Sequence, residues 1–169
     1  MADSTTDAVA ARRAQREEYS PITLRVVATA MVGGFVGMVL MLPLLVGVPV
    51  VFNLFRTEPI AQFAPFLAQI GVERSLWLGV ALFVVGGTTV LPLMFVVVAA
   101  FLPPEEPRYL RGVTYATLFW TGFLLAFWPG GNGLTIAVFL VVSLLSHWIY
   151  GAVLGLVLTR SVGIPQHDV

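Results

Sequence analysis

Ser143, His147, Gly151 and Gly155 stand four residues apart, and Tyr150 follows the histidine by three. At that spacing they form one row along an α-helix. His147 falls near the middle of a long apolar segment. An ionisable side chain at such a depth faces the inside of a bundle and marks a site by default. Its imidazole offers three chemistries: axial ligation of haem, ligation of a metal, or a step in a proton relay. The plainer alternative is a neutral ring donating one hydrogen bond across helices, worth about 0.6 kcal/mol on average. No second His, Cys or carboxylate lies within any apolar segment. A zinc or iron site takes three or four ligands, so one histidine makes a poor metal site and the hydrogen bond is favoured. His147, Tyr150 and Ser143 are therefore the candidate midplane polar site, with no catalytic residue, metal or cofactor expected.

Three methionines, Met31, Met38 and Met41, stand in the first apolar segment. Thioethers bind copper(I), but methionine far more often fills gaps in a core. Gly33 and Gly37, and again Gly151 and Gly155, are GxxxG pairs. Small residues at that spacing let helix backbones approach closely. They read as packing faces within one chain, with Gly151 and Gly155 expected to meet Gly33 and Gly37; a dimerisation face is the alternative. Gly130-Gly131-Asn132-Gly133 lacks the lysine and the preceding strand of a phosphate loop, and reads as a turn.

The elements that position these residues follow from charge. No Asp, Glu, Lys or Arg occurs from Val26 to Phe55, from Ser75 to Pro104, or from Gly112 to Thr159. The last stretch is 48 residues long, and Pro129 with the glycine turn divides it in two. About 20 apolar residues cross a hydrocarbon core of about 30 Å. The reading is an all-α fold, an integral membrane four-helix bundle, with spans at about 22–50, 75–102, 109–128 and 133–160. Ser20-Pro21 reads as the start of the first span. Pro43 and Pro49 should kink or end the first helix, and Pro92 lies inside the second. Residues 1–20 read as a polar cytoplasmic tail, disordered or partly helical from Ala8 to Glu18, 21–162 as the membrane domain and 163–169 as a cytoplasmic C-terminal tail. The first apolar run is about twice the length of a signal-peptide core, which argues against a cleaved leader. Charged residues make up 11% of the chain against about 25% in a soluble domain. Formal net charge is zero, which gives no case for nucleic-acid binding. There is no Cys, so disulfides and thiol chemistry are excluded.

Orientation follows from arginine placement. Four spans put both termini on one side, with Arg12, Arg13, Arg16, Arg25, Arg108, Arg111 and Arg160; only Arg56 and Arg74 fall on the other. Seven against two places both termini in the cytoplasm of a cell-membrane protein. Trp77 and Trp128 then mark the outer interface. Between the first two spans, Ile60, Phe63, Leu67 and Ile70 recur at spacings of three and four. They predict a short interfacial helix within residues 58–71.

Two longer patterns carry a resemblance. Ser146-His147-Trp148-Ile149-Tyr150-Gly151-Ala152-Val153-Leu154-Gly155, with Arg111-Gly112-Val113-Thr114-Tyr115 leading to Trp120 and Pro129, is similar to an uncharacterised family of small four-helix membrane proteins of bacteria and halophilic archaea. That family's last helix carries His-x-x-Tyr-Gly-Ala-x-x-Gly, and its third opens with Arg-Gly-x-x-Tyr. The match would run from Ile22 to Arg160, and Ile60-Ala61-Gln62-Phe63 resembles its segment between the first two helices. All nine basic residues being Arg agrees with a halophilic member. Haloarchaeal members carry a label linking them to cytochrome c oxidase. The resemblance implies at most an accessory place beside such an oxidase, since its catalytic subunit needs six histidine ligands and this chain has one histidine in its spans.

Two functions fit these readings. The first is a non-catalytic accessory or assembly subunit of a larger membrane complex, supported by the lack of catalytic groups and the packing glycines. The second is a stand-alone small-molecule carrier or channel, acting as a homo-oligomer with a midplane site around His147. Both have the lipid bilayer as their surroundings. Against the second, no charged residue lines a span and no inverted repeat is visible.

Overall fold

The computed structural model describes residues 22–51 and 76–165, and among them the regular structure is helical throughout. Four helices are long and apolar enough to cross a membrane: α1 (Leu24–Gly47), α2 (Trp77–Phe101), α3 (Leu110–Phe127) and α4 (Gly133–Ser161). The interfacial helix expected within 58–71 and the polar tail at 1–20 lie outside the described residues.

The helix ends have local causes. The Thr23 hydroxyl accepts from the Val26 amide at 3.3 Å, so Thr23 caps α1 where Ser20 was expected to. The Asn132 side chain accepts from the Thr135 amide at 2.9 Å and starts α4. At the other end of α4, Gly163 adopts a φ of 79°. The amides of Val162 and Gly163 both return to the Leu158 carbonyl. Glycine reaches that left-handed conformation without a steric penalty and so ends the helix. The turn folds Ile164 back into the core at 2% exposure. The segment read as a tail from 163 therefore begins with packed residues.

Pro43 and Pro92 do not break their helices. Each sits beside a π-helical turn, Pro43–Gly47 in α1 and Gly86–Val90 in α2. A proline lacks the amide that the α pattern needs, and the wider turn rearranges the bonds around it. In α2 the Leu91 amide bonds Gly86 O. That leaves Gly87 O without its usual donor, because the next candidate is Pro92, which has no N–H.

α4 is the centre of the bundle, packing along α1 on one side and along α3 on the other, while α1 also packs against α2. The two glycine pairs do not meet each other. Gly33 lies against Leu154 and Val157 of α4, and Gly37 lies against Tyr150. Gly151 instead faces Gly112 and Ala116 of α3, and Gly155 faces the Tyr109 backbone. A Cβ added at Gly112 would stand 2.0 Å from Gly151 O, so the α3–α4 crossing is a backbone-to-backbone contact. Trp120 Nε1 donates to Ser143 Oγ, and Trp148 Nε1 donates to Thr117 Oγ1, both at 2.9 Å. These two indoles tie α3 to α4 above the glycine contact.

α2 and α3 behave differently at their two ends. At the end where they are joined, Arg111 of α3 turns back under α2. Its guanidinium donates to the carbonyls of Ala99, Ala100, Pro104 and Glu105 at 3.0–3.5 Å. A cation there meets the negative end of α2. Tyr115 stacks obliquely on Phe95, with centroids 5.2 Å apart, and its hydroxyl donates to Leu91 O at 2.7 Å. Toward the Trp77 and Trp128 end the backbones of the two helices stand further apart, and Phe83 of α2 meets Phe127 of α3 edge-on with ring centroids 6.5 Å apart.

Candidate functional site

The separation leaves a lateral cavity of about 360 Å³. One wall is α2, through Leu82, Phe83, Gly86 and Val90. The other is α3, through Phe119, Gly122, Phe123 and Phe127. Met38 and Met41 of α1 and His147 and Tyr150 of α4 close the back. Side chains fail to fill the space at two positions. A Cβ built on Gly86 or on Gly122 would meet nothing within 4 Å. The methionines beside His147 are buried core residues, and Met38 packs closely on Gly87.

The three candidate polar residues stand together here, but with different partners from those the sequence suggests. His147 is buried, 8% exposed, and its Nδ1 lies 2.7 Å from Ser143 O, one turn back on its own helix. A carbonyl only accepts, so Nδ1 carries the proton and Nε2 of the neutral ring carries the lone pair. The expected hydrogen bond from His147 to a neighbouring helix is thus replaced by one within α4. Nε2 has no partner among the described residues. The cross-helix bond belongs to Tyr150, whose hydroxyl donates to Gly87 O at 2.6 Å. That carbonyl is the one freed by the π turn and Pro92. Ser143 presents its hydroxyl to Trp120 and its carbonyl to His147.

The aromatic wall is the part that sequence reasoning missed. Phe119, Phe123 and Phe127 recur every four residues and so share one stripe of α3. Phe123 stacks on Phe127 at 4.5 Å and leans on the His147 ring at 4.8 Å. The period was visible, but in an apolar span it reads equally as a face toward lipid. Arg111 was also visible, as an arginine just inside the start of a span. The start of a helix is the wrong end for a cation, which is a usable sign that it serves another helix.

Among the described residues no group of three or more His, Cys, Asp or Glu side chains could hold a metal. What the arrangement can do is accept one hydrogen bond, at Nε2, inside an otherwise apolar recess. The class that fold and site define, among the described residues, is an all-helical protein with four helices long and apolar enough to cross a membrane and an apolar cavity between two of them. More particularly, a family model described as a family of unknown function, DUF6789, matches residues 24–169, and the chain belongs to that family. Neither curated proteins nor solved structures give a match.

Proposed function

We propose that this chain is a non-catalytic multi-pass protein of the cell membrane, with both termini in the cytoplasm, serving as an accessory or assembly subunit of a larger membrane complex. A respiratory oxidase, through the resemblance of the two motifs, is the first partner to test. One observation supports the reading above the others: the polar side chains of the motifs hold the bundle together. Arg111 caps α2, Gly112 seats Gly151, Tyr115 and Tyr150 bond carbonyls of α2, and Ser143 bonds Trp120. Of the polar side chains in the two motifs, among the described residues only His147 Nε2 is left over. A chain whose distinctive residues build a rigid scaffold suits a structural partner better than a reaction.

The test is purification of the full chain from its native membrane in mild detergent, followed by mass spectrometry of the intact assembly and an optical spectrum. A larger co-purifying membrane protein, with this chain adding no haem of its own, is the expected result. A lone homo-oligomer would overturn the subunit reading. It would favour the second function, a carrier with its midplane site at His147, which the cavity beside that residue supports. Orientation is tested separately. The chain has no native Cys, so Ala10→Cys and Gly133→Cys can be probed with an impermeant thiol reagent in intact cells. Position 133 has open space around its Cα and no positive φ. Labelling at 133 and protection at 10 is expected; the reverse would invert the topology.

A further inference from the structure

The cavity between α2 and α3 has a shape, a lining and one polar atom, and together these define an occupant. Its volume of about 360 Å³ lies within the roughly 300–1,000 Å³ of small-molecule sites. Dry apolar cavities of about 150 Å³ already take up benzene, so this space holds a ring with a short tail. The lining is aliphatic and aromatic, with the Phe119, Phe123 and Phe127 stripe along one side. Such rings favour an aromatic guest, stacked or edge-on. Against this wall stands the His147 ring, with Nδ1 fixed on Ser143 O and Nε2 without a partner. Nε2 is an acceptor open to a donor from an occupant, a bond worth about 0.5–1.5 kcal/mol net. Its complement is a hydroxyl hydrogen. A phospholipid acyl chain would fill the space but supplies no donor.

We propose that this cavity is a binding site for a membrane-soluble phenol, an aromatic ring with a hydroxyl that donates to His147 Nε2 and an apolar tail. The ring lies against the Phe123 and Phe127 wall. The tail leaves through the gap between α2 and α3, where Gly86 and Gly122 contribute no side chain. This goes beyond the subunit reading and does not depend on it. For the carrier reading it names the class of cargo, and because binding alone is measured, a failure of transport would not count against it.

The experiment uses the full chain in detergent with ¹⁵N-labelled histidine. The two probes are 4-butylphenol and 4-butylanisole, which differ in that the second has no O–H. His167 is distinguished by its loss in His167→Gln. 4-Butylphenol should move the His147 Nε2 resonance saturably and raise the thermal midpoint. 4-Butylanisole should bind at least tenfold more weakly and leave Nε2 in place. His147→Phe should abolish the preference between the probes. Gly122→Leu, which extends a side chain into the open space, should stay folded and lose both responses. Equal binding of the two probes, an unmoved Nε2 resonance, or undiminished binding by folded Gly122→Leu would overturn the proposal. So would a tightly retained phospholipid that excludes both probes.

Discussion

Two glycines of α3, ten residues apart, occupy opposite surroundings. Gly112 is pressed against the α4 backbone, where an added Cβ would overlap Gly151 O; an added Cβ at Gly122 would meet no other side chain or helix within 4 Å. The two ends of the bundle differ in the same way. At the joined end of α2 and α3, Arg111 and Tyr115 tie α3 to α2, while the glycine crossing seats α3 on α4. At the Trp77 and Trp128 end, missing side chains at Gly86 and Gly122 keep a space open beside His147. Glycine in an apolar helix thus has two uses, letting backbones touch and leaving room. Only the facing helix decides between them.

The largest effect is expected where the backbones touch. Gly112→Leu has no flexible side chain to push aside, because its neighbours are Gly151 O and the Gly155 amide. It should cost more than about 4 kcal/mol or abolish folding, read from helical signal during unfolding in mixed micelles. A loss below about 1 kcal/mol would show that the crossing is not closed.

Arg111 comes next. Arg111→Met removes the donors to the carbonyls of Ala99, Ala100, Pro104 and Glu105. With bonds to charged groups worth about 1.5–3 kcal/mol, a loss of about 3 kcal/mol is expected. Arg111→Lys should recover less than half, since an ammonium cannot reproduce the planar fork. Full rescue by lysine would mean that charge alone holds the joined end.

A smaller effect separates the two tyrosines. Tyr150→Phe leaves Gly87 O with no donor, because Leu91 N–H bonds Gly86 O and Pro92 has none. Tyr115→Phe leaves Leu91 O with the ordinary α-helical donor one turn on. About 1–2 kcal/mol is expected for the first and under about 1 kcal/mol for the second. The reverse order would show that the π turn does not free the Gly87 carbonyl.

The four helices were legible because charge is forbidden at membrane depth, so the gaps between charged residues outline them. The polar row of α4 was legible because four-residue spacing fixes a face. Partners across helices were not. Gly151 and Gly33 carry the same motif, yet one meets α3 and the other α4. The bond of Tyr150 to α2 depends on which carbonyl the π turn releases, and the bond of His147 to its own Ser143 carbonyl depends on the rotamer its ring takes beside Phe123. The cavity was least legible of all, because a gap is made by side chains that do not reach, and Phe123 or Gly122 reads the same whether it faces lipid, a helix or a space. The segment within 58–71, read as an interfacial helix, lies outside the described residues.

The most direct test of the account is Gly122→Leu, unfolded beside the parent chain and beside Gly112→Leu under the same conditions. If α2 and α3 stand apart at that end, the new side chain enters open space. Stability should then stay within about 1 kcal/mol of the parent, or rise, while Gly112→Leu collapses. Equal and severe loss in both variants would contradict the account, because it would mean that α3 is closely packed along its whole length and that no space exists beside His147.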